Sequence, residues 1–412
     1  MARNDPYLVA IDIGSSKVGV LIAQADESGQ LEVVGKGFMH NRGTRKGNIA
    51  NVEATVEALK RATEEAEVMA GVEVSRAFVG VAGTDIRSVN SRGMVSVARR
   101  DREIARADID RVLEAAQSAA LPSDREVLHA IVREFIVDDQ PAILDPLGMQ
   151  GSRLEASVHL VTANRTRGRT LLSCVNRAGI EVIEMVFEPL ATAQAVLSHD
   201  EKELGVLLLD IGSGTTEYAL YVDGEVLLSA VLPVGSGHFT NDLAMVLRTP
   251  FAEAERLKTN YGCCLNGLVS AQEGISVPAV AGGPARVVPR QELCEILQPR
   301  AEELLDIVRR ELARNGCEEQ LRGGVVLTGG GAQLDGLLEL SEQVFNCSVR
   351  YGLPQGLGGL VDVIGSPVWS TASGLLLYGR TALAEQRKKS KKTGFSVREM
   401  MGSLRSMFAD LV

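Results

Sequence analysis

The chain has 412 residues with 45% hydrophobic and 23% charged side chains, which fits a globular protein of two to four domains and excludes wholesale disorder. Its net charge of −10 argues against a general nucleic-acid binder, and it holds no 18-residue apolar run and no signal-peptide core. The cysteines (Cys174, Cys263, Cys264, Cys294, Cys317, Cys347) have no C-x-x-C spacing and the histidines no paired spacing, so free thiols in a reducing compartment and no zinc site are expected.

In chain order, Tyr7 to Ile13, Val18 to Ala23 and Leu31 to Gly37 predict an antiparallel meander. Asn51 caps a helix with Val52, Val56, Leu59, Ala62, Ala66 and Met69 on one face, and Val74 to Gly83 returns as a buried strand. From Thr84 to about Ala163 the texture changes. Strand, helix (Asp108 to Ala120), strand (Val127 to Val137), an Asp/Pro/Gly-rich loop and strand (Leu154 to Thr162) predict a small inserted α+β module. Asn164 caps a helix to Ala178, a strand passes through Ile183 and Val186, and a helix runs from Glu188-Pro189 to Leu197.

The second half repeats the plan. Val206 to Asp210, Tyr218 to Val222 and Val226 to Leu232 predict three more strands, the last two joined by an Asp223-Gly224 turn. Helices over His238 to Leu247 and Pro250 to Tyr261, an irregular segment (262–289) and a long helix from Gln291 to Asn315 follow. The strand Gly324 to Thr328 runs into Gly329-Gly330-Gly331, and a last helix spans Ser366 to Leu383.

Each meander contains an Asp-x-Gly turn. Asp12-Ile13-Gly14-Ser15-Ser16-Lys17 follows the first strand, and Asp210-Ile211-Gly212-Ser213-Gly214-Thr215-Thr216-Glu217 the fourth member of the repeated plan. This predicts a duplicated domain with two opposed turns. Backbone N–H groups and the hydroxyls of Ser15, Ser16, Ser213, Thr215 and Thr216 suit the β and γ phosphates of ATP, with Lys17 adding charge. Asp12 and Asp210 suit Mg²⁺ held through water. Gly329, Gly330 and Gly331 would let backbone lie flat against an adenine. Gly29 to Lys36 fails as a P-loop, because five residues separate Gly29 from Gly35 and Gly37 stands where Ser or Thr is needed.

The C-terminal residues from Arg387 carry seven basic side chains against two acidic, so the body ahead of them is more acidic than the overall balance. Residues 384–394 read as a basic linker. Ser396-x-x-Glu399 forms a capping box, and Phe395, Val397, Met400, Met401, Leu404, Met407, Phe408 and Leu411 supply the apolar side of a helix suited to an anionic membrane surface.

The order of first turn, Glu188-Pro189-Leu190-Ala191, second turn, Ala254-Glu255-Arg256-Leu257-Lys258 and Thr-Gly-Gly-Gly is similar to the actin, Hsp70 and sugar-kinase superfamily. Within the insert, Val127-Leu128-His129-Ala130-Ile131, Phe135-x-Val137-Asp138, Asp145-Pro146-x-Gly148-Met149-x-Gly151-x-Arg153-Leu154 and Val158-His159-Leu160-Val161 resemble the FtsA family of actin-like bacterial cell-division proteins. The resemblance implies an α/β, actin-like duplicated ATPase fold with an inserted α+β (1C) subdomain and a C-terminal amphipathic helix. Subdomain 1A is expected at 1–83, 164–198 and 355–383, 1C at 84–163, 2A at 199–242 and 317–354, 2B at 243–316, and the membrane helix at 395–412. It further implies Glu255 on the ribose, Lys258 beside the adenine, and Glu188 as a water-positioning carboxylate of at most a slow ATPase. The implied partners are the C-terminal peptide of the tubulin-like FtsZ (through Arg300), further copies of the chain in a filament, later division proteins at 1C, and anionic lipid. The implied location is the cytoplasmic face of the membrane at the septum. A sugar kinase or polyphosphate phosphatase is the rival reading, yet no general base with its substrate pocket is evident. A pilus-assembly ATPase of the same fold is another, and it would not require the amphipathic tail.

Overall fold

The computed structural model describes residues 7–26, 29–97, 102–118, 122–270, 272–280 and 283–393. Tyr7–Ile13 is apolar on alternate and intervening positions alike and is buried almost throughout, the mark of a strand covered on both faces. It pairs antiparallel with Lys17–Ala25, which pairs with Leu31–His40; on its other side Arg76–Val81 runs parallel, followed by Glu181–Phe187. Leu357–Gly359 adds a short strand at the far edge of Leu31–His40. The helix Val52–Ala70 covers this sheet and starts as predicted, with the Asn51 side chain accepting from Ala54 N at 3.1 Å. Val56, Leu59, Ala62 and Ala66 are buried in the core, whereas Met69 is exposed on the last turn.

The second sheet repeats the first. Glu225–Leu232, Thr216–Val222 and Val206–Ile211 are antiparallel neighbours, and Val325–Thr328 and Val349–Tyr351 continue in parallel. Three meander strands followed by two parallel ones is the order in both sheets, so the duplication expected from the paired turns is a duplication of topology. Asp223 and Gly224 both have positive φ (52° and 79°), as a tight Asp-Gly hairpin requires. We call the halves built on the two sheets the first and second lobes.

The insert is a separate antiparallel sheet in the order Arg87–Ser96, Arg153–Asn164, Arg125–Val137, Gln140–Ile143. The helix Arg106–Ser118 packs on it, closing a core of its own around Ile109, Val112, Phe135, Leu154 and Val158.

Several elements depart from expectation. Gln140–Ile143 forms an edge strand where Asp138, Asp139 and Pro141 suggested only a loop; an edge position tolerates Pro. His199–Leu204 is a short helix held by a Ser198–Glu201 capping box. The segment read as irregular contains a hairpin of Gly274–Val277 with Arg286–Pro289. Leu337–Phe345 is a further helix. The last helix spans Ser370–Thr393, preceded by a single 3-10 turn, Pro367–Trp369. Its continuation past Leu383 corrects the expected linker at 384–394: Ala, Glu, Gln, Arg and Lys are good helix formers, and no Gly or Pro intervenes before Gly394. The apolar tail positions Phe395, Val397, Met400, Met401, Leu404, Met407, Phe408 and Leu411 lie outside the described residues. Among the described residues no helix is long and apolar enough to cross a membrane.

Candidate functional site: a cleft between two phosphate-type turns

The two Asp-x-Gly turns meet face to face. In the first, Gly14 N–H donates to Lys17 O at 2.9 Å, and the Asn41 side chain donates to Gly14 O at 2.8 Å, fixing the tip from outside. Ser15 Oγ accepts from Gly47 N at 3.1 Å. In the second, Ser236 N donates to Gly212 O and Gly237 N to Ser213 O, each at 2.8 Å, so the following helix Ser236–Leu247 is tied to the turn. A Cβ on Gly214 would collide with Ser15 Oγ and come within 3.0 Å of Lys46 N. Glycine is what allows the tips to approach so closely.

Between the turns lies a narrow cleft of about 60 Å³, lined by Asp12, Gly14, Ser15, Ser16, Lys17, Asp210, Gly212, Ser213, Gly214, Thr215, Gly329 and Gly330. Glu188, Glu217, Pro367, Val368 and Thr371 are also in its wall. The predicted set is therefore largely brought together, with four exceptions. Thr216 is fully buried on the opposite face of its strand, because Thr215 and Glu217 take the alternate positions facing the cleft. Gly331 is turned onto Ile211 and Ser236. Glu255 and Lys258 stand one step further out, paired with each other at 2.8 Å; Lys258 also donates to Ser236 O (3.2 Å) and Thr240 Oγ1 (2.9 Å).

The glycine triplet is required for a reason other than the one expected. Gly329 has φ +82°, and its Cβ would press on Asp210 Oδ1 and lie 2.8 Å from Ile211 N. Gly329 and Gly331 thus allow the loop to pack on the end of the neighbouring strand Val206–Ile211, and Gly330 alone of the three faces open space, with Val368 as its nearest neighbour at 3.7 Å.

The cleft concentrates carboxyl groups. Asp12 is paired with Lys17. Asp210 accepts from Thr192 Oγ1 and Thr371 Oγ1, each at 3.1 Å; burial and then the charge of Asp12 push its carboxyl up to about 6. Burial, reinforced by Asp210, pushes Glu217 up to about 8. Glu188 is held well above the usual carboxylate range by burial and by Asp12, Glu217 and Asp210, with Lys17 opposing. Glu188 Oε1 and Glu217 Oε1 have no hydrogen-bond partner although both are buried. Buried carboxyl oxygens left unsatisfied are what a bound cation or an ordered water would engage. The donor chemistry fits a hydrated magnesium ion carried by a polyphosphate, which needs one or two carboxylates and keeps several waters. Among the described residues no three His, Cys, Asp or Glu groups are arranged to enclose a metal by themselves.

Glu217 was absent from the expected site. Its signal was available: Asp210 and Glu217 are direct cross-strand partners in the hairpin, and such partners share a face. Thr192 and Thr371, brought from two helices, carried no comparable local signal.

Arg300 lies away from this cleft. It donates to Asp242 at 2.6 Å through Nε and also pairs with Glu303, at the wall of an open groove of about 580 Å³ between the helices Ser236–Leu247 and Arg290–Arg314. Met245 and Val246 are exposed there.

The chain matches the family model described as Cell division protein FtsA over residues 207–374, and the model described as the SHS2 domain inserted in FtsA over residues 83–162. It is 47% identical over 377 residues to the cell division protein FtsA of Pseudomonas aeruginosa, covering 92% of this chain and 90% of that protein. Among solved structures it is similar to the PilM–PilN type IV pilus biogenesis complex (TM-score 0.66, 17% identity, 90% of this chain and 98% of that one). It is also similar to MreB5 of Spiroplasma citri bound to ADP (TM-score 0.57, 15% identity, 92% and 97%). At such identities these two structures speak for the actin-like fold, while the identity to the Pseudomonas protein extends over nearly the whole chain. Duplicated sheets, opposed turns and the inserted module are thus those of one family: the chain belongs to the FtsA family of cell division proteins.

Proposed function

We propose that the chain is an ATP-binding, filament-forming adaptor of bacterial cell division that lies on the cytoplasmic membrane at the septum and anchors FtsZ filaments. The observation that carries the nucleotide part is the pair of apposed turns around buried, unpartnered carboxyl oxygens. MreB5, of the same fold, was solved with ADP, which supports the same class of ligand here. Family membership supports the division role over the kinase, phosphatase and pilus-assembly readings.

In this reading the turns grip the β and γ phosphates, Mg²⁺ sits by Asp12 and Asp210 through water, Gly330 faces the base, and Glu255 and Lys258 exchange part of their mutual contact for the nucleoside. Bound magnesium would neutralise phosphate charge; Glu188 orients a water for at most slow hydrolysis, and the main work of ATP is to hold the lobes closed. The groove beside Arg300 receives the FtsZ C-terminal peptide, the insert contacts later division proteins or the next subunit, and the C-terminal residues bind anionic lipid. Each chain holds lipid weakly, and polymerisation multiplies the hold.

Vesicle flotation tests the tether: the full chain should float with vesicles containing an anionic phospholipid and a chain ending at residue 386 should not. Equal flotation of both would refute it. Retention of an FtsZ C-terminal peptide by the full chain, weakened about tenfold or more by Arg300→Glu, tests the groove.

A further inference from the structure

The insert is covalently part of the first lobe, yet its side chains reach both. Toward the first lobe, the buried imidazole of His129 accepts at Nε2 from Phe187 N at 2.9 Å. Phe187 is the N-cap of the helix Glu188–Val196, whose first residue carries the carboxyl lining the cleft. Toward the second lobe, Ser88 Oγ donates to Ser229 O and Asn90 Nδ2 donates to Leu227 O at 3.0 Å. His159 stands between them, 2.7 Å from Asn90 Oδ1 through Nδ1 and 2.9 Å from Ser229 Oγ through Nε2.

For a neutral His159, which burial favours, these bonds define one proton arrangement. Asn90 donates through its nitrogen, so its oxygen must accept from Nδ1–H of a neutral His159, whose Nε2 then accepts from the Ser229 hydroxyl. Every member is satisfied, and the seam is fixed in register: Leu227 and Ser229, two residues apart, present successive outward carbonyls of an edge strand, and Ser88 and Asn90, also two apart, cap them.

That edge strand leads to the cleft. Ser229 faces Ala219 across the hairpin, and Leu232 faces Thr216, where the second phosphate turn ends. Three residues of strand, about 10 Å, separate the seam from the turn. The same strand runs on into Ser236 and Gly237, whose N–H groups hold Gly212 and Ser213. The insert is thus bonded to an element adjoining each wall of the cleft, to Glu188 through His129 and to the second turn through the strand Glu225–Leu232.

We infer that the insert is a strut across the two lobes, so that nucleotide occupancy of the cleft and the position of the insert form one linked equilibrium. The inference rests on the nucleotide reading of the cleft. A ligand that closes the lobes changes the relative placement of Phe187 and Ser229, and the insert, bonded to both, must either follow or break the Ser88–Asn90–His159 seam. By reciprocity, any protein that holds the insert in one position alters nucleotide affinity by the same factor by which nucleotide alters that protein's affinity.

Hydrogen exchange of the full chain with and without Mg²⁺ and AMPPNP tests this. Protection of residues 12–17 and 210–217 reports occupancy of the cleft. The strut predicts that occupancy also changes exchange in the insert strands 87–96 and 153–164, by about fivefold or more. In the double variant Ser88→Ala/Asn90→Ala, protection of the turns should remain while the response of the insert strands falls below half; Ser229→Ala, which loses only the hydroxyl beside His159 and keeps both carbonyl contacts, should lower it less. Continued protection of residues 106–118 checks that the insert remains folded in each variant, and the single variant Asn90→Ala takes the place of the double variant if that unfolds. Protected turns with unresponsive insert strands in the unmodified chain would overturn the strut, as would an undiminished response in the folded Ser88→Ala/Asn90→Ala or Asn90→Ala chain. Absence of protection at the turns would instead overturn the nucleotide reading, and the strut with it.

Discussion

At the scale of single residues, the cleft gathers buried acids, and two of their carboxyl oxygens, Glu188 Oε1 and Glu217 Oε1, have no hydrogen-bond partner. Glu217, ordinarily near 4.5 and about 8 in the folded chain, binds its proton more tightly when folded. Its contribution to stability is therefore full below about pH 4.5 and is lost as the pH rises through 8. His129 and His159 act in the opposite sense: burial lowers both from 6.5 to about 4, so their contribution is full above pH 6.5 and lost as the pH falls through 4. Without nucleotide, the melting temperature should fall between pH 6 and pH 9, and Glu217→Gln should flatten that fall, with up to about 1.4 kcal/mol per pH unit at stake. Parallel pH curves for the two proteins would refute the assignment. Gly329→Ala should destabilise by about 1–3 kcal/mol through strained backbone and contact with Asp210, measured by denaturant unfolding. Gly330→Ala should leave stability unchanged and weaken ATP binding, since only that Cβ would meet a ligand. The sequence made the Asp-x-Gly turns and the glycine triplet legible because glycine and aspartate report local backbone need. It could not separate Gly329 from Gly330, because which neighbour a missing Cβ spares is decided by tertiary packing.

At the scale of elements, strongly periodic segments were readable and weakly patterned ones were not. The helix Val52–Ala70 has an Asn cap, a buried stripe and an αL glycine at its end, Gly71 with φ 69°, and it lies where the pattern placed it. Asn51→Ala should cost about 1 kcal/mol in unfolding free energy and leave nucleotide binding intact. The hairpin of Gly274–Val277 with Arg286–Pro289 escaped notice because two four-residue strands separated by a long Pro-, Ala- and Gly-rich loop offer too few alternations to register. Thr216 was misplaced by composition: a run of hydroxyls suggested a shared role, but strand alternation sends neighbours to opposite faces. The basic run at 387–393 was misread in the same way, its charge suggesting a linker although its residues favour a helix.

At the scale of the whole molecule, two copies of one topology face each other across the cleft, and a module inserted in one copy is bonded to both. The repeat was legible because both copies kept their Asp-x-Gly turn at the same point of the meander. The bonds from the insert to Phe187 and to the strand Glu225–Leu232 were not, since they join segments about 60 to 140 residues apart and involve Ser, Asn and His that have no local pattern. Calorimetric titration of the full chain with ATP in the presence of Mg²⁺ tests the nucleotide clamp most directly, with Gly214→Ala as the comparison. That variant keeps both lobes but sets a methyl against Ser15, where the turns must meet. The clamp predicts one saturable site in the unmodified chain and affinity at least about tenfold weaker in the variant, at unchanged fold by circular dichroism. Absence of ATP binding by the unmodified chain, or equal affinity in Gly214→Ala, would contradict it.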